Sequence, residues 1–436
     1  MKSTAYMAIS CVSLVLVAGV WLGYGTLAPF SSGEVIGLQP AASGPTTDLS
    51  FVTTASGTPS VIFDRTYSPI VATTTEVSLI PLLDELRPLL TNGTVLALDQ
   101  ELQATVYRAL EKVAQSAGYT AGAGVVMDIE TGELLALTSY TPSNPLFNQA
   151  TNGLFIPGSI IKPFVGIAAL AEGIVRPEDE ILSTGAIELF DTTGTLLTFK
   201  DWKPHGYVNL STALGVSSNV YFYAIGGGYG SQPGLGIDTI LSYLLLFKIG
   251  DATGLAHLSE ANGTLPTPAW KQATYGGDAW RLADTYLAAI GQLGYQVTPL
   301  MMTRAIAAIA TKGTMVTPTI LRTAGASSTA ERLPLSAEHF APIHAGMEYA
   351  VKQGTVAGLY REGLSLAAKT GTAEADTEKQ HIHSWVVGYF PAHAPRYAFT
   401  FMLARGPWGQ EVGAVAVTDD VLVWLSRYRP EYLQPL

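Results

Sequence analysis

The chain has 436 residues, which is enough for two or three domains of ordinary size. Hydrophobic residues make up 48% of it and charged residues only 14%, which excludes a disordered chain, because disorder goes with high charge and few large apolar side chains. The net charge of −11 argues against nucleic-acid binding, and the one cysteine excludes a disulfide framework or a zinc site built on several cysteines.

The first predicted element is an apolar segment at residues 1–30. After Lys2 no charged residue occurs until Glu34, and Met, Ile, Val, Leu and Ala dominate the stretch between them. About 20 apolar residues in a helix are enough to cross a bilayer. We therefore expect a short cytoplasmic end and a single transmembrane anchor, with the rest of the chain outside the cytoplasm at the cell membrane. A cleaved signal peptide is the alternative, although the apolar run is longer than the core of a typical signal peptide.

A linker and one large domain are predicted to follow. Residues 31–75 are rich in Ser, Thr, Gly and Pro and carry few charges, which is typical of an extended linker or a small irregular subdomain. Residues 76–436 show regular patterns and are predicted to form the main domain. Apolar runs at 237–249 and 286–309 are interrupted by Gly, Pro, Gln or charge, so they indicate buried core helices rather than further membrane spans.

Helical patterns open the main domain. Leucines at helical spacing predict a helix at residues 82–89, which Pro88 interrupts near its end. A second helix is predicted after Asp99, because apolar residues recur there with the period of one helix face. Helical patterns also dominate from residue 160 to residue 311.

Strand patterns occur at both ends of the main domain. They are predicted at residues 122–128, 133–138, 384–390 and 397–404. The first two flank Ile129-Glu-Thr-Gly132, which is typical of a hairpin turn. Strands at both ends with helices between them predict one α+β domain whose sheet is completed by the C-terminal strands.

The first chemical motif is Ser159-Ile-Ile-Lys162, which directly follows Pro157-Gly158. Residues three apart lie on one face of a helix, so the hydroxyl and the amine can meet there. A serine hydroxyl needs a base to become a nucleophile, and a lysine can serve if burial or a nearby cation lowers its pKa. The alternative is a capped helix with a solvated lysine, and the motif alone does not decide between the two.

The second motif is Ser217-Ser-Asn219. A serine hydroxyl there can relay a proton to a leaving amine, and the asparagine amide can hold a peptide group of a substrate. The alternative is a helix N-cap, for which Ser and Asn are both preferred.

The third motif is Lys369-Thr-Gly-Thr372. Gly371 allows a close approach of backbone to a ligand, and the N–H of Thr372 can help to hold an oxyanion. Lys369 can supply a cation for a carboxylate and lower the pKa of Lys162. The alternative is an ordinary loop or edge strand.

The order S-x-x-K, S-x-N, K-T-G carries more information than any one motif. With the surrounding segments 148–159 and 291–300, the chain resembles the penicillin-binding transpeptidases, serine acyl-enzymes of one superfamily with the β-lactamases, and in particular their monofunctional class B members. The likeness extends from about residue 96 to residue 403. It implies an α+β fold in which an antiparallel sheet is flanked by helices and joined to an all-helical subdomain.

This resemblance implies a peptidoglycan D,D-transpeptidase that β-lactams inhibit and that serves cell-wall synthesis in cell elongation or division. Ser159 would attack the penultimate D-Ala carbonyl of a stem peptide ending in D-Ala-D-Ala, with Lys162 as the base. Ser217 and Lys369 would assist proton transfer to the departing D-Ala, and Asn219 would hold the acyl part. The backbone N–H groups of Ser159 and Thr372 would hold the oxyanion. The residues that the resemblance assigns to substrate binding are Thr370, Gly371 and Thr372.

The sequence departs from the family pattern in the segment that usually contacts partner proteins. Class B members usually carry a long pedestal before the catalytic domain, and here only 66 positions separate Phe30 from Leu96. The pedestal normally contacts partners such as a SEDS-type glycan polymerase, so this polymerase is only a candidate partner. The other expected partners are stem peptides, β-lactams and the membrane.

No cofactor and no metal are expected. We interpret His381 and His383 as rim or surface residues rather than zinc ligands.

Three alternative functions remain. A D,D-carboxypeptidase would hydrolyse the same acyl-enzyme. A β-lactamase would need a group for fast deacylation, and the sequence has no Glu-x-x-Leu-Asn segment between the second and third motifs. A penicillin-binding scaffold with weak catalysis should have lost a motif residue, and none is lost.

Overall fold

A computed structural model describes residues 93–434 except 192–193 and 323–329, together with short stretches at 52–53, 59–60, 63–67, 82 and 85–86. The anchor predicted at residues 1–30 and most of the linker predicted at 31–75 lie outside the described residues. Within the part that is described, no helix is both long and apolar enough to cross a membrane. The helix predicted at 82–89 is described at Leu82, Glu85 and Leu86, and these three residues are helical.

A five-stranded antiparallel sheet lies at the centre of the fold. Its strands are β3 (Ala121–Asp128), β4 (Leu134–Tyr140), β11 (Ala367–Glu374), β12 (His381–Phe390) and β13 (Tyr397–Pro407). Across the sheet they lie in the order β11-β12-β13-β3-β4. Strand β3 pairs with β13 from Tyr397 opposite Asp128 to Ala404 opposite Ala121. The C-terminal strands therefore complete the sheet that the N-terminal hairpin begins, as the sequence predicted.

Helices cover both faces of this sheet. On the sheet and in the helical subdomain beside it, the described residues form α1 (Gln100–Ala117), α2 (Gln149–Asn152), α3 (Lys162–Ala171), α4 (Leu210–Gly215), α5 (Asn219–Gly227), α6 (Ile237–Leu246), α7 (Pro268–Thr274), α8 (Leu282–Ala289), α9 (Pro299–Ala310), α10 (Ala341–Gln353) and α11 (Ala414–Tyr428). The same residues also form short 3₁₀ helices at Gly158–Ile161, Ala337–Phe340, Ala357–Leu359 and Pro430–Tyr432.

One face of the sheet carries α1 and α11, and the other carries α9 and the helical subdomain. Val126 of β3 belongs to the hydrophobic cluster on the face that carries α1 and α11, whereas its neighbours Val125 and Met127 belong to the cluster on the face that carries α9. This alternation follows because successive side chains of a strand point to opposite faces of the sheet. All eight residues of β3 are buried because both of its faces are covered. Helix α9 is buried along its whole length, and apart from Thr303 and Arg304, whose side chains are hydrogen-bonded, its residues are apolar.

Short strand pairs make up the remaining strands among the described residues. They are β1 (Val52–Thr53) with β2 (Pro59–Ser60), β5 (Ile181–Ser183) with β8 (Gly206–Val208), β6 (Ala186–Phe190) with β7 (Leu196–Lys200), and β9 (Thr314–Val316) with β10 (Ala330–Arg332). The pairs formed by β5 to β8 interrupt the region 160–311, where the sequence predicted mainly helices. These strands have three to five residues, too few for a periodic pattern to identify them.

Candidate active site

Ser159 lies on the 3₁₀ turn Gly158–Ile161, which runs directly into α3. The backbone N–H of Lys162 donates a hydrogen bond to the carbonyl of Ser159, so the two residues of the first motif occupy one turn. The side chain of Ser159 is partly exposed and faces a cleft, whereas Lys162 is fully buried.

Three glycines bring other segments against this turn. Gly158 adopts φ +58°, and a Cβ there would lie 2.5 Å from the carbonyl oxygen of Thr372. A Cβ on Gly371 would lie 2.7 Å from the carbonyl oxygen of Pro157, and one on Gly291 would lie 2.0 Å from that of Gly158. Because contacts this close exclude a side chain, the serine turn packs directly against β11 and the loop after α8.

Lys162 points to the second motif. Its Nζ donates to the backbone carbonyl of Ser217 at 2.8 Å and to Asn219 Oδ1 at 2.7 Å, and it lies 3.3 Å from Ser217 Oγ. The sequence predicted that the two motifs belong to one site, and the structure brings them into hydrogen-bond contact.

The third motif also contacts the hydroxyl of Ser217. Lys369 is buried on β11, and its Nζ donates to Ser217 Oγ at 2.9 Å and to the carbonyl of Thr370 at 2.8 Å. The hydroxyl of Ser217 therefore lies between two buried lysines. If it accepts a proton from one lysine, it can donate its own to the lone pair of the other, provided that the second lysine is a neutral amine.

Burial favours the neutral amine at both lysines. Burial lowers the pKa of Lys162 to about 7, and the negative charge of Asp201 opposes this shift. Burial, and after it the charge of Lys162, lowers the pKa of Lys369 well below its ordinary value. Of the two causes that the sequence suggested for a lowered pKa of Lys162, burial and the charge of Lys369, burial is the main one.

Ser217 has an unusual backbone. Its φ is +59°, in the left-handed region that few residues other than glycine adopt. Helix α5 begins at Asn219, and Ser218 caps it by accepting from the N–H of Tyr221. The N-cap interpretation of the second motif thus holds for Ser218, while Ser217 and Asn219 face the lysine. Such backbone strain persists where the surrounding structure holds it, often in active sites.

The three motifs line one cleft of about 490 Å³. Ser159, Ser217 and Asn219 line it from the helical side, and residues 370–372 line it from β11. The side chain of Thr372 is exposed to the cleft, whereas Gly371 is buried beneath it. Every residue that the sequence assigned to catalysis or substrate binding lies in this cleft or, for the two lysines, in hydrogen-bond contact with Ser217 in its wall.

Sequence reasoning missed three neighbours of the motifs. Thr355 accepts a 2.7 Å hydrogen bond from the hydroxyl of Thr370. Trp202 lines the cleft and donates from its indole N–H to the carbonyl of Val216 at 3.1 Å. Asp201 lies close to Lys162 with its side chain fully buried. None of the three belongs to a motif, so only the folded chain reveals them.

The two histidines after the third motif do not form a metal site. His381 pairs with Asp376 across the β11–β12 turn at 2.6 Å, whereas His383 is buried with its ring against Phe155. The interpretation as rim or surface residues is therefore wrong for His383, because it shares its face of β12 with Trp385 and both rings pack against Phe155 in the interior. Across the described residues, no group of three His, Cys, Asp or Glu side chains is placed to hold a metal ion.

Comparisons with known proteins agree with this geometry. Residues 122–420 match the model of the penicillin-binding protein transpeptidase domain. The peptidoglycan D,D-transpeptidase MrdA of Acinetobacter baumannii is 30% identical over 371 residues, which cover 74% of this chain and 53% of that protein. The chain thus spans about half the length of this curated relative.

Solved structures share the fold. PBP2 of Pseudomonas aeruginosa, solved in complex with WCK 5153, is similar with a TM-score of 0.69 at 24% identity, covering 86% of this chain and 99% of that one. PBP2 of Helicobacter pylori, solved in complex with MreC, has a TM-score of 0.65 at 26% identity, covering 77% and 64%. With the three motifs in one cleft and a family match over most of its length, the chain belongs to the penicillin-binding protein transpeptidase family.

Proposed function

We propose that this chain is a serine D,D-transpeptidase that cross-links peptidoglycan stem peptides ending in D-Ala-D-Ala and that β-lactams inhibit. The observation that carries the proposal is the hydroxyl of Ser217 held between the buried amines of Lys162 and Lys369 beside the Ser159 turn. This arrangement provides a nucleophile, a base near neutrality and a path for a proton, which acyl transfer requires.

The acylation step follows from these groups. Ser159 Oγ attacks the carbonyl carbon of the penultimate D-Ala while Lys162, as the neutral amine, takes the hydroxyl proton. The backbone N–H groups of Ser159 and Thr372 hold the resulting oxyanion. When the C–N bond breaks, the proton passes from Lys162 through the hydroxyl of Ser217 to the leaving amine of the terminal D-Ala.

Substrate binding uses the opposite wall of the cleft. The hydroxyls of Thr370 and Thr372 meet the terminal carboxylate, with Gly371 leaving room for its approach. A carboxylate arriving near Lys369 stabilises the ammonium form of that lysine, which burial disfavours in the empty site. Asn219 holds the acyl part of the donor. The amine of a neighbouring stem peptide then attacks the ester carbonyl, releases Ser159 and completes the cross-link.

The edge position of β11 supports a peptide as the substrate. In the central sheet β11 pairs with β12 and forms the outer edge beside the cleft. An extended peptide can bind along such an edge through backbone hydrogen bonds. No cofactor takes part in the proposed reaction.

Labelling with a fluorescent penicillin tests the proposal. We expect the wild-type chain to form a long-lived covalent adduct, and Ser159→Ala to form none. Ser426→Ala removes an exposed serine of α11 and should label like the wild type, since it leaves the cleft unchanged. Absence of an adduct in the wild type would contradict the proposal, and rapid loss of the adduct would favour a β-lactamase.

Products on a stem peptide separate transfer from hydrolysis. With an acceptor amine present, a transpeptidase gives the cross-linked dimer, whereas a D,D-carboxypeptidase gives the shortened donor and free D-Ala alone. A Ser159-dependent adduct without either product would favour a scaffold with weak catalysis.

We also propose how the chain is placed in the cell. Residues 1–30 anchor it to the membrane, 31–75 form a linker or minimal pedestal, and 76–436 form the catalytic domain outside the cytoplasm. The relative from H. pylori was solved with MreC, which supports a partner in cell-wall synthesis, with a SEDS-type glycan polymerase as another candidate. Membrane fractionation of the full chain beside a variant lacking residues 1–30 tests the anchor, because only the full chain should sediment with membranes.

A further inference from the structure

A buried carboxylate lies behind the second motif. Asp201 follows β7, and none of its side chain is exposed. Its Oδ2 accepts hydrogen bonds from the hydroxyl of Ser218 at 2.8 Å, the N–H of Val220 at 3.0 Å and the hydroxyl of Ser183 at 3.3 Å. Its Oδ1 accepts from the N–H of Trp202 at 2.9 Å. A buried carboxylate is costly unless such donors satisfy it, so this position is strongly specified.

These hydrogen bonds hold the turn that carries Ser217 and Asn219. Ser218 and Val220 lie on either side of Asn219, and both donate to the same oxygen of Asp201. Ser217, immediately before them, has the left-handed φ of +59°. A strained backbone of this kind relaxes unless neighbouring contacts prevent it. Asp201 supplies those contacts from outside the turn.

Asp201 also brings a negative charge to Lys162. The groups that face Lys162 are Lys369 from β11, Asp201 and His205 from the loop after β7, and Asn219 and the ring of Phe222 from α5. Among these groups, Asp201 is the negative charge that raises the pKa of Lys162. Burial lowers the pKa of His205, which favours the neutral ring.

We propose that Asp201 is a positioning residue of the active site, whose buried carboxylate fixes the Ser217-Ser-Asn219 turn and supplies the counter-charge to Lys162. The inference rests on the proposed acyl transfer at Ser159. Asp201 lies behind the turn, where it accepts hydrogen bonds from Ser183, Trp202, Ser218 and Val220, and His205 Nε2 lies 3.8 Å from its Oδ1. It acts through Ser217, Asn219 and Lys162.

Two effects of Asp201→Asn follow. The amide keeps the shape of the carboxylate but loses the charge and one acceptor, so the rate of acylation by penicillin at pH 8 should fall at least tenfold. Because the negative charge raises the pKa of Lys162, its loss lowers that pKa further. The pH at which acylation reaches half its maximal rate, near 7 in the wild type, should therefore move to lower pH.

Asp128→Asn is the matched control. Asp128 is also buried, accepts from the N–H groups of Glu130 and Thr131, and pairs with Arg396 on the β3–β4 side of the sheet. This variant should lower thermal stability without moving the pH profile. If Asp201→Asn lowered the acylation rate but left the pH profile unmoved, the counter-charge to Lys162 would be disproved.

A second variant tests the positioning role of Asp201 if Asp201→Asn fails to fold. Ser183→Ala combined with Ser218→Ala removes two donors to Asp201 and leaves its charge in place. We expect a lower acylation rate and an unmoved pH profile; an unchanged rate would overturn the positioning role. Absence of Ser159-dependent labelling in the wild type would refute the proposed function instead, so the two failures are distinguishable.

Discussion

At the scale of single residues, the chemistry depends on the protonation of Lys162. Its amine is enclosed by Ser217, Asn219 and the ring of Phe222, which lies 5.4 Å from Nζ. Removal of water disfavours the ammonium form and lowers the pKa to about 7. A pKa near 7 suits the role of base at neutral pH that we propose for Lys162.

The pH dependence of acylation tests this role. Only the neutral amine accepts the proton of Ser159, so the rate should approach a plateau above about pH 8 and fall about tenfold per pH unit well below 7. The measurement is the second-order rate constant for a fluorescent penicillin between pH 5 and 9. Lys162→Arg should be inactive throughout, because a guanidinium stays protonated. A wild-type rate independent of pH over this range would refute Lys162 as the base.

At the scale of elements, the serine turn is fixed by its contact with β11. A Cβ on Gly371 would meet the carbonyl oxygen of Pro157 at 2.7 Å and Ile160 Cγ2 at 2.8 Å. Neither atom is the free end of a long side chain, so the turn or the strand must shift. A displacement of the nucleophile by even ~1 Å is enough to slow catalysis by about a hundredfold.

Gly371→Ala should therefore reduce penicillin acylation by at least tenfold and lower the melting temperature. Gly358→Ala is its control, because a Cβ at Gly358 meets nothing within 4 Å and no left-handed φ is involved. Acylation rates and thermal unfolding of both variants are the measurements. Wild-type acylation by Gly371→Ala would show that the contact does not position Ser159.

Helices and strands with a clear hydrophobic period could be predicted from the sequence, whereas strands too short to show one could not. Helix α1 was predicted from its apolar face, and β3 with β4 from their hairpin turn. The short strands β5 to β8 gave no pattern, yet the loop between β7 and β8 carries Trp202 to the cleft and Asp201 behind the second motif. The motif residues were predictable because their types and order together resemble those of a known family. Thr355 and Asp201 reach the site through tertiary packing, which no local pattern records.

At the scale of the whole molecule, the end of the described chain is tied to its first long helix. Asp99 is buried, caps α1 by accepting from the N–H of Leu102 at 3.0 Å, and accepts from the hydroxyl of Tyr432 at 2.7 Å. The ring of Tyr432 also packs against Tyr397 of β13 at 5.1 Å between centroids. One carboxylate thus joins α1 to the C-terminal 3₁₀ helix.

Tyr432→Phe should lower the free energy of unfolding by about 1–3 kcal/mol, because it leaves a buried carboxylate oxygen without its donor. Penicillin acylation at 25 °C should stay unchanged, since Tyr432 is not among the residues that line the cleft. Chemical denaturation gives the first quantity and labelling kinetics the second. An unaltered denaturation midpoint would show that this hydrogen bond contributes nothing, whereas slower labelling would show that it reaches the cleft.

The junction between the Ser159 turn and β11 has a consequence for the synthesis of the chain. The ribosome makes Ser159 early, whereas Lys369 and the strands β12 and β13 that support it come near the end. Under the proposed mechanism a partly made chain carries Ser159 without the second lysine, so we expect it to stay unreactive until the C-terminal strands have joined the sheet. The fraction of chains that penicillin labels should then measure how many chains have completed this sheet.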